Sequence, residues 1–219
     1  MPTRAHRLLG IALALAAALV LSIALVRSEG ATTPTGEETG TGDDEQVITT
    51  AYTTGYGWYD NTPPGSAVIS HPVLHRRAGG AGTHDDPITV AVGHDRSTSR
   101  DALDYPPGTR IYVPNVRRYF VVEDTCGDGP RPQDGPCHDV SEAPSGATTW
   151  IDLWVEGRGA DEETVRRCQE IVTSSGGALH TIVVNPRRDH AVTPGPILRD
   201  GRCIRPGDGG YGDTPVRGR

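Results

Sequence analysis

Between residues 47 and 185 the chain alternates between short apolar, β-branched runs and clusters of Gly, Pro, Asn and Asp. Runs of four to eight such residues bounded by turn formers read as strands. They predict strands at Val47–Thr54, Ile88–Val92, Arg110–Val113, Tyr119–Asp124, Trp150–Glu156 and Thr181–Asn185. Turn chemistry separates them: Thr-Pro-Pro-Gly at 62–65, Gly-Gly at 79–80, Tyr-Pro-Pro-Gly at 105–108 and Pro-Asn at 114–115. One stretch changes period. Val165, Cys168, Ile171 and Val172 recur at helical spacing behind Asp161, an N-cap residue type followed by Glu162 and Glu163. With Gly176 as the stop, this predicts a helix from about Asp161 to Ser174. Six short strands, one sizeable helix and long loops predict an all-β fold, a small six-stranded barrel with inserted loops. A single Phe leaves the core to Val, Ile and Tyr.

The two ends follow other patterns. Arg4, His6 and Arg7 precede an apolar run from Leu8 to Val26, which reads as an export segment. The run approaches spanning length, and Val26-Arg27-Ser28-Glu29 is a poor cleavage signal. Residues 1–28 are therefore a signal peptide or a retained N-terminal membrane anchor, and either sends the rest outward. Residues 29–46 are an acidic Thr/Gly-rich linker with nothing apolar to bury. The barrel domain is expected at 47–201, long enough for one core, and residues 202–219 as a flexible Gly/Pro-rich tail.

Charge narrows the partners. Every cation among the 21 basic residues is an arginine. Beyond residue 28 the chain carries 18 arginines against 28 acids, a net charge of −10. Nucleic acid is excluded as a ligand, because phosphate binding needs a basic face. Cys126, Cys137, Cys168 and Cys203 form an even set in an exported chain and predict two disulfides among three possible pairings. Cys126–Cys137 and Cys168–Cys203 are favoured: the first closes a short Gly/Pro loop, the second ties the helix to the C-terminal segment. No Cys-x-x-Cys pair and no His-Glu-x-x-His is present, so no metal is expected. His71, His75, His84, His94 and His138 are expected as surface or loop residues. Gly-x-Ser-x-Gly and phosphate-loop motifs are absent.

Candidate chemistry lies in "TTWIDLWVEG". With period two, Ile151, Leu153 and Val155 share one face and Trp150, Asp152 and Trp154 the other. Indole faces suit sugar rings, and a carboxyl held between them is desolvated towards the protonated, proton-donating form. The alternative is that both indoles cover the sheet while Asp152 pairs with an arginine. Asp124, in "FVVEDTCG", and Asp95, in "AVGHDRS", stand at strand ends, where an aspartate ordinarily bonds its own backbone.

These three aspartates lie in contexts that resemble the three-aspartate (3D) domain, a double-psi β-barrel of secreted bacterial cell-wall proteins. The matching elements are "ITTAYTTGY", "AVGHD", "YPPGTRIYVP", "FVVEDTCG" and "WIDLWVEG", in the order that family shows. The same barrel underlies lytic transglycosylases, rare lipoprotein A, barwin-like endoglucanases and expansins. The resemblance implies cleavage of β-1,4 bonds in peptidoglycan, with Asp152 as the general acid/base and Asp124 lining the same groove. It also implies that Asp95, Tyr52 and Thr53 shape the groove and that Trp150 and Trp154 supply stacking. One acid/base suffices, because the nucleophile is the substrate's own 6-hydroxyl. The alternatives are a glycoside hydrolase-like variant with a water held by Asp124, a non-catalytic, expansin-like polysaccharide binder, and a structural or inhibitor barrel. The implied partner is a cell-wall polysaccharide, the implied state a monomer, and no cofactor is implied. The chain departs from the family pattern in a longer loop holding Cys126 and Cys137, and in an insertion between Asp95 and Pro107.

Overall fold

The computed structural model describes residues 44–127, 133–210 and 212–218. The export segment and most of the acidic linker expected from the sequence lie outside the described residues. Among the described residues, no helix is long and apolar enough to cross a membrane.

Among the described residues ten strands occur in chain order: β1 (Gln46–Tyr56), β2 (Ile88–Val92), β3 (His94–Asp95), β4 (Ala102–Leu103), β5 (Arg110–Val113), β6 (Arg118–Thr125), β7 (Thr149–Trp154), β8 (His180–Val184), β9 (Leu198–Arg199) and β10 (Arg202–Cys203). The α-helix, α1, spans Glu162–Val172 between β7 and β8. Six strands close a barrel in the order β1-β7-β2-β6-β5-β8, while β3–β4 and β9–β10 form two small hairpins. All six strands expected from the hydrophobic pattern are the barrel strands. β1 runs two residues further than expected, to Tyr56.

Two pairings are parallel, β1 with β7 and β2 with β6; the other barrel pairings are antiparallel. Strands in parallel pairs are commonly covered on both faces. β2 is buried at all five positions, and β6 at every position but Thr125. Val90, Val92, Phe120, Val122, Ile151 and Leu153 belong to the main core with Ile111, Val113, Ile182 and Val184. Tyr112, Tyr119 and Val183 form a second, smaller cluster on the other face of the far wall.

α1 begins where its cap predicts: Asp161 Oδ1 accepts a hydrogen bond from the Thr164 N–H at 2.9 Å. Its buried stripe is Val165, Cys168 and Val172, which packs onto β1. The approach is close enough to require Gly55, where an added Cβ would lie 2.3 Å from Val172. Cys168 bonds Cys203, and Cys126 bonds Cys137, the two pairings favoured above.

The C-terminal segment, expected as a tail beyond Cys203, runs back across the barrel. The Gly207 N–H donates to the Asn115 carbonyl. Arg217 pairs with Glu45 (2.9 Å) and with Asp189, which joins the end of the chain to the start of β1.

Candidate active site

A register shift in the β2–β6 pair sets the site. Val90 pairs with Val122, but the next residue, Ala91, pairs with Asp124. Glu123 is the extra residue of a β-bulge, and bulges re-aim side chains. On the other side of β2, Ala91 pairs with Asp152 of β7. Asp152, Ala91 and Asp124 thus form one row across three strands, with backbones of the outer two about 10 Å apart at two strand spacings. The one-carbon side chain of Ala91 leaves a trough between two carboxyl groups. All three residues line a cavity of about 610 Å³, within the size range of small-ligand sites.

The rest of the lining comes from the end of β1 (Tyr56), the loop at 60–71, the segment from His94 to Asp101, and the end of β6 with the loop after it (Thr125, Cys126, Gly127 and Gln133). Asp124 is 5 % exposed and holds the wall together. Its Oδ1 accepts from the Ser70 N–H (3.0 Å), the Ser70 hydroxyl (3.1 Å) and the Thr125 N–H (3.0 Å), and its Oδ2 accepts from the Tyr56 hydroxyl at 3.1 Å. Burial raises the pKa of Asp124 above the usual carboxylate range, against the pull of these hydrogen bonds. Burial also pushes the Tyr56 phenol well above its usual value, reinforced by the charges of Asp124 and Asp152. Tyr56 is therefore a neutral donor at physiological pH, in the field of both carboxylates.

The bulged residue builds the facing loop. Glu123 is fully buried and spans the loop that carries Ser70 and His71. Its Oε1 accepts from the N–H groups of Val73 (3.1 Å), Leu74 and His75 (2.8 Å), and its Oε2 lies 2.7 Å from His75 Nδ1. The His71 N–H donates to the Glu123 carbonyl at 2.9 Å. His71 Nδ1 in turn lies 2.9 Å from the Ser70 hydroxyl. Asp101 closes the opposite side, with His94 Nδ1 at 2.8 Å, Arg96 Nε at 3.5 Å and His71 Nε2 at 3.8 Å. Four aspartates line the cavity (Asp60, Asp101, Asp124, Asp152) against one arginine and two histidines. That balance disfavours phosphate and suits a polyhydroxyl ligand, which offers donors to carboxylates.

Of the seven residues given a catalytic or sugar-binding role from sequence, Asp124 and Asp152 meet at this cavity and the other five do not line it. Asp95 lies in the β3–β4 hairpin, where its carboxylate accepts from the Ser97 N–H (2.7 Å) and hydroxyl (2.9 Å). It lines a second cavity of about 450 Å³ with Asp104, Tyr105 and His138, so the three aspartates do not converge. Thr53 points to the helix side of β1, 2 % exposed, with its hydroxyl 2.9 Å from that of Ser174. Tyr52 sits edge-on to Trp150, ring centroids 5.1 Å apart.

The indoles are packing groups rather than stacking platforms. His138 covers Trp150 at 4.4 Å and 5°, and the Trp150 Nε1–H donates to the Thr54 hydroxyl. Trp154 is 1 % exposed in the core, edge-on to Tyr56. Among the histidines, His71, His75, His84 and His138 lie in loops as expected, although His138 is buried, whereas His94 is a buried strand residue. Sequence reasoning missed Tyr56, Ser70, His71, Ala91 and Asp101. Only Tyr56 left a trace, since period two along β1 places it on the Tyr52/Thr54 face, and Thr54 pairs with Asp152.

Comparison with known proteins places this architecture in a family. Residues 48–204, from β1 through β10, match the family described as the DDB_G0273701 N-terminal domain. The chain belongs to that family. A relative from Dictyostelium discoideum, Uncharacterized protein DDB_G0273701/DDB_G0273221, is 29 % identical over 161 residues, covering 73 % of this chain and 61 % of the relative. The chain thus spans less than two thirds of that relative's length. No solved structure matches the chain.

Proposed function

We propose that this family member is an exported, glycan-cleaving barrel in which Asp152 transfers the proton, as general acid to the leaving glycosidic oxygen and then as base to the attacking hydroxyl. The observation that carries the reading is the Asp152–Ala91–Asp124 row opening into one acidic cavity. Asp152 is the more exposed of the two residues, and Asp124 is committed to four hydrogen bonds. Asp124 and the Tyr56 it holds therefore orient the sugar and tune Asp152 by their field. The substrate class is a β-1,4-linked glycan of the cell wall, with the substrate's own hydroxyl as nucleophile.

The fold reading behind this proposal is a double-psi barrel of the 3D type. Two parallel strand pairs inside a closed six-stranded barrel support it. Export is supported by two disulfides, which persist in oxidising compartments. The packing of the indoles counts against the expansin-like alternative, because His138 stacks on Trp150 and Trp154 is buried in the core.

Purified sacculi incubated with the protein should release 1,6-anhydro-muropeptides, detected by liquid chromatography and mass spectrometry, and Asp152→Asn should abolish them. Equal product from wild type and Asp152→Asn, or none from either, sinks the catalytic reading. Retention on insoluble glycan without product would leave a binding module.

A further inference from the structure

The disulfide Cys126–Cys137 sits between the two cavities: Cys126 lines the larger, Cys137 the smaller, and His94 lines both. A ring nitrogen of His94 and the two sulfurs lie within 4.8 Å of one another. Among the described residues, no other trio of His, Cys, Asp or Glu meets that condition. His94 is 4 % exposed, and its two nitrogens are treated differently. Nδ1 lies 2.8 Å from Asp101 Oδ1. A carboxylate only accepts, so Nδ1 carries a proton, and in the neutral ring Nε2 is the nitrogen with the lone pair. That Nε2 is buried and makes no hydrogen bond. A buried acceptor with no partner, on a ring that lies against a disulfide, has no packing rationale, since an apolar side chain would fill the space at lower cost. A carboxylate on the far nitrogen is, however, how ligating histidines are oriented.

We infer that the dithiol form of Cys126 and Cys137, together with His94 Nε2, is a binding site for a thiophilic divalent cation of the Zn²⁺ class. The site is made by reduction. One thiolate of a dithiol reductant attacks a sulfur of the disulfide, and its second thiol resolves the mixed disulfide. Cys126 and Cys137 are left as thiols and the reductant as a cyclic disulfide. The metal ion then takes both thiolates and the imidazole, displacing two protons. Zinc–thiolate bonds of about 2.3 Å place tetrahedral sulfurs about 3.8 Å apart. The Cα atoms are 6.0 Å apart, so side-chain rotation opens the pair without moving the strands. Three protein ligands leave a fourth position towards the cavities, the open arrangement of catalytic rather than structural zinc sites. The disulfide and the metal-loaded form exclude one another.

The test uses the full chain, reduced anaerobically with dithiothreitol and freed of reductant, with Co²⁺ as the spectroscopic probe. Alkylation and mass mapping identify which disulfide has opened, and circular dichroism follows the fold. One Co²⁺ per chain is expected, with a thiolate charge-transfer band that Zn²⁺ displaces. Asp101→Asn should weaken binding roughly 10- to 100-fold as the loss of an orienting partner. His94→Gln should weaken it by about 10-fold or more. A chain with Cys168→Ala and Cys203→Ala should keep the band, and one with Cys126→Ser should lose it. Co²⁺ binding that is indifferent to His94→Gln overturns the proposal. So does a Cys126–Cys137 bond that stays closed while the fold persists, or a fold lost on reduction.

Discussion

Asp124 and Asp152 face one cavity because each is paired with Ala91, on opposite edges of β2. The alignment depends on one extra residue. Without the bulge at Glu123, Ala91 would oppose Glu123, and Asp124 would sit one position along, on the opposite face of the sheet. Glu123 and Asp124 would exchange roles: a glutamate would face the cavity, and the hydrogen bonds from Ser70 and Tyr56 that fix Asp124 in its wall would be lost.

Ala91 is the floor of the trough, so a larger side chain there should obstruct the ligand. Ala91→Val should lower glycan cleavage or oligosaccharide affinity at least tenfold. Its stability cost should be in the overpacking range of about 1–3 kcal/mol. Isothermal titration with β-1,4 oligosaccharides, alongside urea denaturation, separates the two effects. Unchanged binding would remove Ala91 from the site.

Glu123 gathers three backbone N–H groups and the His75 ring around one buried carboxylate. Glu123→Ala would leave those donors unpaired and should destabilise the protein by about 3 kcal/mol or more. The loop at 70–75 should loosen first. Hydrogen exchange at Val73, Leu74 and His75 should accelerate beyond that of the barrel amides, and uniform protection would refute this account.

His75 predicts a pH dependence with a definite sign. Burial alone would lower its pKa, but hydrogen bonds and charges from Asp86 and Glu123 outweigh burial and raise it. A histidine raised above its unfolded value of about 6.5 contributes stability that is complete below that pH. The contribution is lost as pH rises through the folded-state value. The urea midpoint should therefore fall between roughly pH 6.5 and the alkaline side of it. His75→Gln should flatten this segment of the profile, and a His75→Gln profile parallel to wild type would exclude the assignment.

Asp124 gives a second titration. Its pKa is raised by burial, so its neutral form is favoured in the folded state relative to the unfolded chain. The associated stability is complete below about 3.9 and is lost as pH rises through the folded value. Tyr56→Phe deletes the 3.1 Å hydrogen bond that favours the carboxylate. It should move the Asp124 titration further up, measured by carboxyl carbon NMR. A shift downward would contradict the donor role of Tyr56.

Much of the fold was legible before the structure because its signals are local. Ile88–Val92 and Arg110–Val113 match residue for residue, since Gly and Pro bound them and β-branched residues fill them. The helix start followed from the Asp161 cap. At the site, Asp152 and Asp124 were visible as strand carboxylates. Asp95 looked equivalent but ends in a hairpin, bonded to Ser97. The Trp-Asp-Trp alternation set Trp150 and Asp152 apart from the buried Ile151 and Leu153, but Trp154 joins the main core with them, and the pattern could not show that His138, 12 residues earlier, covers Trp150.

The sequence by itself determined six strands, a capped helix, four paired cysteines and an acidic composition. Each follows from residue type and short-range periodicity. Only the tertiary structure decided which carboxyl groups meet, that Tyr56 and the Ser70–His71 loop complete the cavity, and that the indoles are covered. Those outcomes depend on the order in which strands close the barrel and on a one-residue register shift between β2 and β6. The pairing of distant segments sets both, and no local pattern encodes it.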